Sequence, residues 1–270
     1  MNTIKSIFSL FVLIYFLSAC NEYTKVLKSS DYEAKYAYAK KCFDKKQYSK
    51  ALPLFEEVVG MFKGTSRAEE SLYLLAQCSF ENKDYAAASQ YFLAYCNTFP
   101  KGEYAELSRF YAAYALYLDS PDPRLDQTDT KKAIQELQTF MEYYPRSEKI
   151  AEAQRYLQEM EDKLCYKELL AVKLYYNLGN YLGNNYLSSV ITAQNVLKEY
   201  PYTKYREELM YYIVAAKYQM ALMSVEDKLQ LRYQDVIDEY FNYINEYPEG
   251  KYVKPLTRYY EKAKSEIKEF

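Results

Sequence analysis

Five cysteines are the strongest nucleophiles in this chain of 270 residues, which contains no histidine. Four of them, Cys42, Cys78, Cys96 and Cys165, stand at irregular intervals that match no metal-ligand spacing. Two readings of these four stay open. Cys78 and Cys96 fall on the two helices of one hairpin in the repeat described below, so an oxidising compartment could join them. Alternatively all four serve as small buried apolar side chains. Without histidine there is no HExxH site and no Ser/His or Cys/His couple, and glycine is too scarce, at 6, for a phosphate-cradling loop. The acids are scattered as on helix surfaces. The sequence therefore assigns no catalytic residue, no metal ligand and no cofactor, and predicts a protein that is not an enzyme.

Cys20 stands apart. Lys5 precedes an apolar run, Ile7 to Leu17, interrupted only by Ser9 and followed by Ser18-Ala19-Cys20. A basic start, an apolar stretch of this length and small residues before a cut site make a secretory signal. The run is too short for a comfortable membrane span, which takes about 20 residues. Leu17-Ser18-Ala19-Cys20 resembles the bacterial lipobox, whose cysteine is lipidated and becomes the new N-terminus. Several acyl chains on one thiol anchor stably, because each buried CH₂ contributes about 0.8 kcal/mol. Asn21, rather than Asp, follows the cysteine; by resemblance to proteobacterial lipoproteins this favours the outer membrane. No acidic cluster follows that would suggest export to the cell surface, so the periplasmic face is expected. The expected layout is a signal peptide over 1–19, a lipidated tether over 20–29 and a folded domain over 30–270.

A formal net charge of −2 gives no basic surface for nucleic acid. The organisation lies in a repeat. Ala39, Phe43, Tyr48, Ala51 and Phe55 recur 37 residues later as Ala76, Phe80, Tyr85, Ala88 and Phe92, and Ala113 and Tyr117 continue the series. A period of this size built from two helical segments indicates stacked helical hairpins. Four turns share one punctuation: Phe99-Pro100-Lys101-Gly102, Tyr144-Pro145-Arg146-Ser147, Tyr200-Pro201-Tyr202-Thr203 and Tyr247-Pro248-Glu249-Gly250. Proline stops one helix, and Gly, Ser or Thr can begin the next. Phe62-Lys63-Gly64-Thr65 is the same turn without proline. The repeats run over about 30–64, 65–101, 102–146, 147–202 and 203–249, with a cap over 251–270.

Ser120-Pro121-Asp122-Pro123 reads as a surface loop inside the third repeat, with Asp129 or Thr130 capping the helix that follows. Between Ser147 and Gly183 no proline occurs, and the apolar spacing from Ile150 to Tyr176 predicts one long helix of about nine turns. The predicted fold is all-α: a right-handed solenoid of five tetratricopeptide-like helical hairpins with a C-terminal capping helix.

Tetratricopeptide arrays use their first helices to line a concave face. Here one column is Tyr36, Tyr73 and Phe110, and a second is Lys40, Gln77 and Tyr114. Flat rings give contact area at low entropic cost and polar groups fix orientation, so these six residues form a candidate groove for an extended peptide with alternating aromatic residues. The competing reading is packing between adjacent helices.

The lipobox, the five hairpins, the loop in the third and the overlong helix in the fourth together resemble the BamD family, lipoproteins of the outer-membrane β-barrel assembly machinery. The residues that carry the resemblance are Leu125-Asp126-Gln127-Thr128-Asp129-Thr130, Tyr144-Pro145-Arg146-Ser147, Lys163-Leu164 with Lys167-Glu168, and Tyr175-Tyr176. The stretch from Leu174 to Asn185 is similar to the Bacteroidetes branch. Departures are Tyr166, where many relatives have histidine, and the missing proline at Lys63. The resemblance implies a non-catalytic scaffold on the periplasmic face of the outer membrane. It also implies two partners, the POTRA region of BamA and unfolded outer-membrane β-barrel proteins. Within the family an arginine after the Tyr-Pro turn entering the last repeat contacts BamA, and Arg206 is its match. The alternative is another tetratricopeptide lipoprotein that coordinates cell-envelope or peptidoglycan assembly. A SusD-type glycan binder would be about twice as long and would present tryptophan, which is absent.

Overall fold

The computed structural model describes residues 22–267; the expected signal peptide over 1–19 and the expected lipidation site Cys20 lie outside them. The fold is all-α, with consecutive helices packed in adjacent pairs in the manner of tetratricopeptide repeats. Two compact units are present. One comprises the described residues through 120 with 132–153, the other 121–131 with those from 154 onward.

The first unit opens with α1 (Tyr32–Asp44), α2 (Tyr48–Met61), α3 (Ser66–Glu81), α4 (Tyr85–Thr98) and α5 (Ala105–Asp119). The repeated residues do the same work in each hairpin. Ala39, Ala51 and Phe55 are fully buried, and so are Ala76, Ala88 and Phe92. Alanine lets two helices approach closely while the phenylalanine fills the space beside it. Phe43 meets Tyr48 edge to face at 5.4 Å, and Phe80 meets Tyr85 likewise at 5.5 Å. Both corners turn through a lysine in the left-handed region, Lys46 (φ 57°) and Lys83 (φ 64°). Asp31 caps α1 by accepting from the Ala34 N–H at 3.0 Å, and Asp84 caps α4 through Ala87 at 3.1 Å. Within the segment 20–29, residues 22–27 are helical, and Tyr23, Val26 and Leu27 pack against the core of the first hairpin.

Two further helices follow, α6 (Thr128–Tyr143) and α7 (Ile150–Leu178). The loop before α6 is tied down rather than free. Gln127, only 4% exposed, donates its side-chain amide to the Asp122 carbonyl at 2.8 Å and accepts from Thr130 Oγ1 at 2.7 Å. The helix begins one or two residues before the expected caps Asp129 and Thr130, because the Asp126 carboxylate takes the Thr128 N–H at 2.9 Å. At 29 residues, α7 spans about eight turns at 3.6 residues each.

The second unit continues with α8 (Asn185–Glu199), α9 (Arg206–Leu222), α10 (Glu226–Glu246) and α11 (Val253–Glu266). Leu169 and Val172 of α7 pack with Val190, Ala193, Leu209 and Ile213 in one core cluster. In a second cluster Val236 and Tyr243 of α10 pack with Leu256 and Ala263 of α11. Tyrosine stacks fasten the last helix: Tyr211 on Tyr252 and Tyr218 on Tyr259, both at 4.4 Å, and Tyr240 on Tyr260 at 4.5 Å. Pro255 sits in the first turn of α11, where no intrahelical N–H is required.

Candidate functional site

Tyr36 of α1, Tyr73 of α3 and Tyr114 of α5 each take part in a cluster of rings. Tyr36 lies edge-on to Phe62 at 5.9 Å, with the Arg67 guanidinium 5.4 Å above its ring. Its hydroxyl donates to one oxygen of Glu70, and Lys40 Nζ donates to the other at 2.5 Å. Burial pushes the Glu70 carboxyl up, but the hydrogen bonds from Lys40 and Tyr36 outweigh it and hold the group below the usual carboxylate range. Tyr73 stacks on Tyr104 at 4.2 Å and meets Phe92 and Tyr95 edge-on, both at 6.1 Å. Burial pushes its hydroxyl up to about 12, so the group stays a neutral donor and acceptor. Gln77 Nε2 donates to that hydroxyl at 3.1 Å.

Phe110, 2% exposed, is buried against Phe140 at 5.4 Å and Tyr114 at 6.0 Å. Tyr114 in turn touches Phe80 at 5.7 Å and Tyr117 at 5.9 Å. Tyr36, Lys40, Tyr73, Gln77 and Tyr114 keep part of their surface open, and Phe110 does not. The structure thus brings Tyr36 and Lys40 together on Glu70, and joins Tyr73 to Gln77. Sequence reasoning missed Glu70; its signal was the i, i+3 spacing to Tyr73 on one face of α3.

Arg206 opens α9. Its Nε donates to Glu246 Oε1 and its Nη2 to Glu246 Oε2 at 3.0 Å, so the fork is occupied bidentately by an acid of its own chain. These hydrogen bonds hold the Glu246 carboxyl below its ordinary value. The pair sits at the edge of a cleft of about 600 Å³, lined also by Leu197, Met210 and Asn242. A second cleft, of about 500 Å³, lies between the 126–131 segment, α7 and α8, and is lined by both signs of charge: Asp126, Lys131, Lys167 and Glu199. Here the Leu125–Thr130 motif and Lys167 meet directly, Lys167 Nζ donating to the Leu125 carbonyl at 2.8 Å.

All four described cysteines are free and buried. Burial pushes the thiol of Cys78 up to about 12 and that of Cys165 to about 11, which leaves neither as a thiolate at neutral pH.

Helical hairpins packed in series define a helical-repeat protein of the tetratricopeptide kind. The chain belongs to the YfiO family of outer membrane lipoproteins, whose model matches residues 28–231. This is a BamD-like family of non-enzymatic lipoprotein scaffolds, and membership associates the chain with the outer membrane. Among curated proteins nothing matches significantly. No helix among the described residues is long and apolar enough to cross a membrane.

Proposed function

We propose that this chain is a lipid-anchored scaffold of the β-barrel assembly machinery, held by Cys20 on the periplasmic face of the outer membrane. Its first three hairpins receive the aromatic C-terminal strand of unfolded outer-membrane proteins. Tyr36, Tyr73 and Tyr114 offer ring surface and Lys40 and Gln77 fix the strand's polar groups, with Phe110 buried against Tyr114. Arg206 and its cleft take an acidic group from the POTRA region of BamA, which displaces Glu246 from the guanidinium fork. The observation that carries this reading is the family match, which spans the first four hairpins, the overlong α7 and Arg206.

The groove is best tested on its polar rim. Alanine at Tyr36 or Tyr73 would also remove the ring packing described above, and a loss of binding would then report on stability. The Lys40→Ala, Gln77→Ala double variant is expected to bind a C-terminal barrel-strand peptide about tenfold more weakly, or about 1.4 kcal/mol. Its melting temperature should stay close to that of the parent. Isothermal titration reads the first quantity and circular dichroism the second; unchanged affinity would remove the groove from these hairpins.

A further inference from the structure

Residues 174–197 contain no Asp, Glu, Lys or Arg, although charged residues make up 27% of the chain. In the middle of this run α7 gives way to a loop, and α8 begins at Asn185. The asparagines of the loop hydrogen-bond within the chain, although Asn180 and Asn184 are exposed. The Asn185 N–H donates to the Gly179 carbonyl at 2.9 Å, and the Asn185 side chain donates to the Tyr181 carbonyl at 2.7 Å. Asn184 caps α8 by accepting from the Leu187 N–H at 3.1 Å. Asn180 reaches across to the Met223 sulfur.

Beside them stand exposed large apolar side chains. Tyr181 is 68% and Leu182 90% exposed, and Met223 and Val225 of the adjoining α9–α10 turn are more than half exposed. Leu182 also holds φ at +53°, in the left-handed region that a leucine occupies only at a cost. The fold therefore maintains an unfavourable backbone conformation that projects its most apolar loop side chain into the surroundings.

A lipid interface matches this chemistry. A tyrosine ring settles at headgroup depth, leucine reaches the acyl boundary, and the charge-free run avoids the cost of desolvating ions. The acids Glu226 and Asp227 that follow Val225 exclude attraction by anionic headgroups, so the contact rests on apolar surface alone and leaves these carboxylates on the aqueous side. We propose that the Tyr181–Leu182 loop, with Met223 and Val225, inserts into the interfacial layer of the outer-membrane bilayer as a membrane contact additional to the lipidated N-terminus. This inference rests on membership of an outer membrane lipoprotein family and is independent of any role in barrel assembly.

The chain has no tryptophan, so a single introduced one reports without background. The full-length lipidated protein carrying Leu182→Trp is incorporated into phosphatidylcholine–phosphatidylethanolamine vesicles, with and without brominated acyl chains. Tyr202→Trp, on an exposed turn beyond the opposite end of α8, is the reference. Co-flotation shows independently that the anchor is in place. Insertion appears as a blue shift and bromine quenching of the Leu182→Trp emission alone. Emission at the wavelength of water with no quenching overturns the proposal. Equal quenching of both probes overturns it too, since the whole body would then be adsorbing. Shielding of the Leu182→Trp probe that follows protein concentration and not lipid assigns the loop to a protein contact, with the same consequence.

Discussion

Gly102→Ala is expected to destabilise the first unit by about 2 kcal/mol, the cost of forcing extra volume into a packed site. A Cβ at this position would stand 2.3 Å from Glu69 Oε1 and 2.5 Å from the Tyr95 hydroxyl. The carboxylate is the end of a flexible side chain and can swing away. The Tyr95 ring is fully buried and cannot. That hydroxyl is a junction: it donates to Glu69 in the first turn of α3 at 2.5 Å and accepts from the Tyr104 N–H at the start of α5 at 3.0 Å. Displacing it uncouples two successive hairpins. Tyr95→Phe alone should cost about 1–2 kcal/mol, because the Tyr104 N–H loses its partner. The double variant should lose clearly less than the sum, since removing the hydroxyl makes room for the new methyl group. Denaturant unfolding followed by circular dichroism measures all three, and additive losses would contradict this arrangement.

Asp162→Ala should cost the second unit about 2–3 kcal/mol, because it strands buried donors. The buried Asp162 carboxylate accepts from Thr203 Oγ1 at 2.7 Å and from the Lys204 N–H at 3.2 Å, fixing the α8–α9 turn on α7. Asp162→Asn keeps an acceptor oxygen and should lose less than half as much. Amide exchange at Lys204 should accelerate in the alanine variant well beyond the asparagine one. Equal behaviour of the two variants would show that the carboxylate position merely fills space.

These two sites expose a rule that periodicity alone does not reveal. Counting seven residues back from the last position of each turn gives Val58 before Thr65, Tyr95 before Gly102, Phe140 before Ser147, Val196 before Thr203, and Tyr243 before Gly250. Glycine stands only where the partner is tyrosine. At Gly250 the cause is the same as at Gly102, since a Cβ would meet the Tyr243 hydroxyl at 2.4 Å. That hydroxyl donates to Glu207 at 2.7 Å and accepts from the Tyr252 N–H at 3.1 Å. Where the hydroxyl is missing the turn can carry a side chain, and Thr203 uses its own to reach Asp162.

The 37-residue repeat was legible because alanine approach and the ring corner demand particular residue types at fixed positions. The long helix was legible from the lack of proline between Ser147 and Gly183. The hydrogen-bond junctions were not, since each joins residues 26 to 41 positions apart, across helices. The same holds for the candidate site. Its ring column follows from the period, whereas the acids that grip Tyr36, Lys40 and Arg206 lie 30 to 40 residues away, on other helices. Leu182 was hidden for another reason: two neighbouring glycines, Gly179 and Gly183, were the natural places to expect left-handed backbone.

The most direct test of the proposed role is to recover the tagged full-length protein from membranes in mild detergent and identify what comes with it by mass spectrometry. A POTRA-bearing outer-membrane barrel protein should be the dominant partner at near-equal stoichiometry, and Arg206→Glu should reduce its yield. Recovery of peptidoglycan or division proteins in its place, with no such barrel protein, would contradict the assembly role and point to a scaffold for envelope construction.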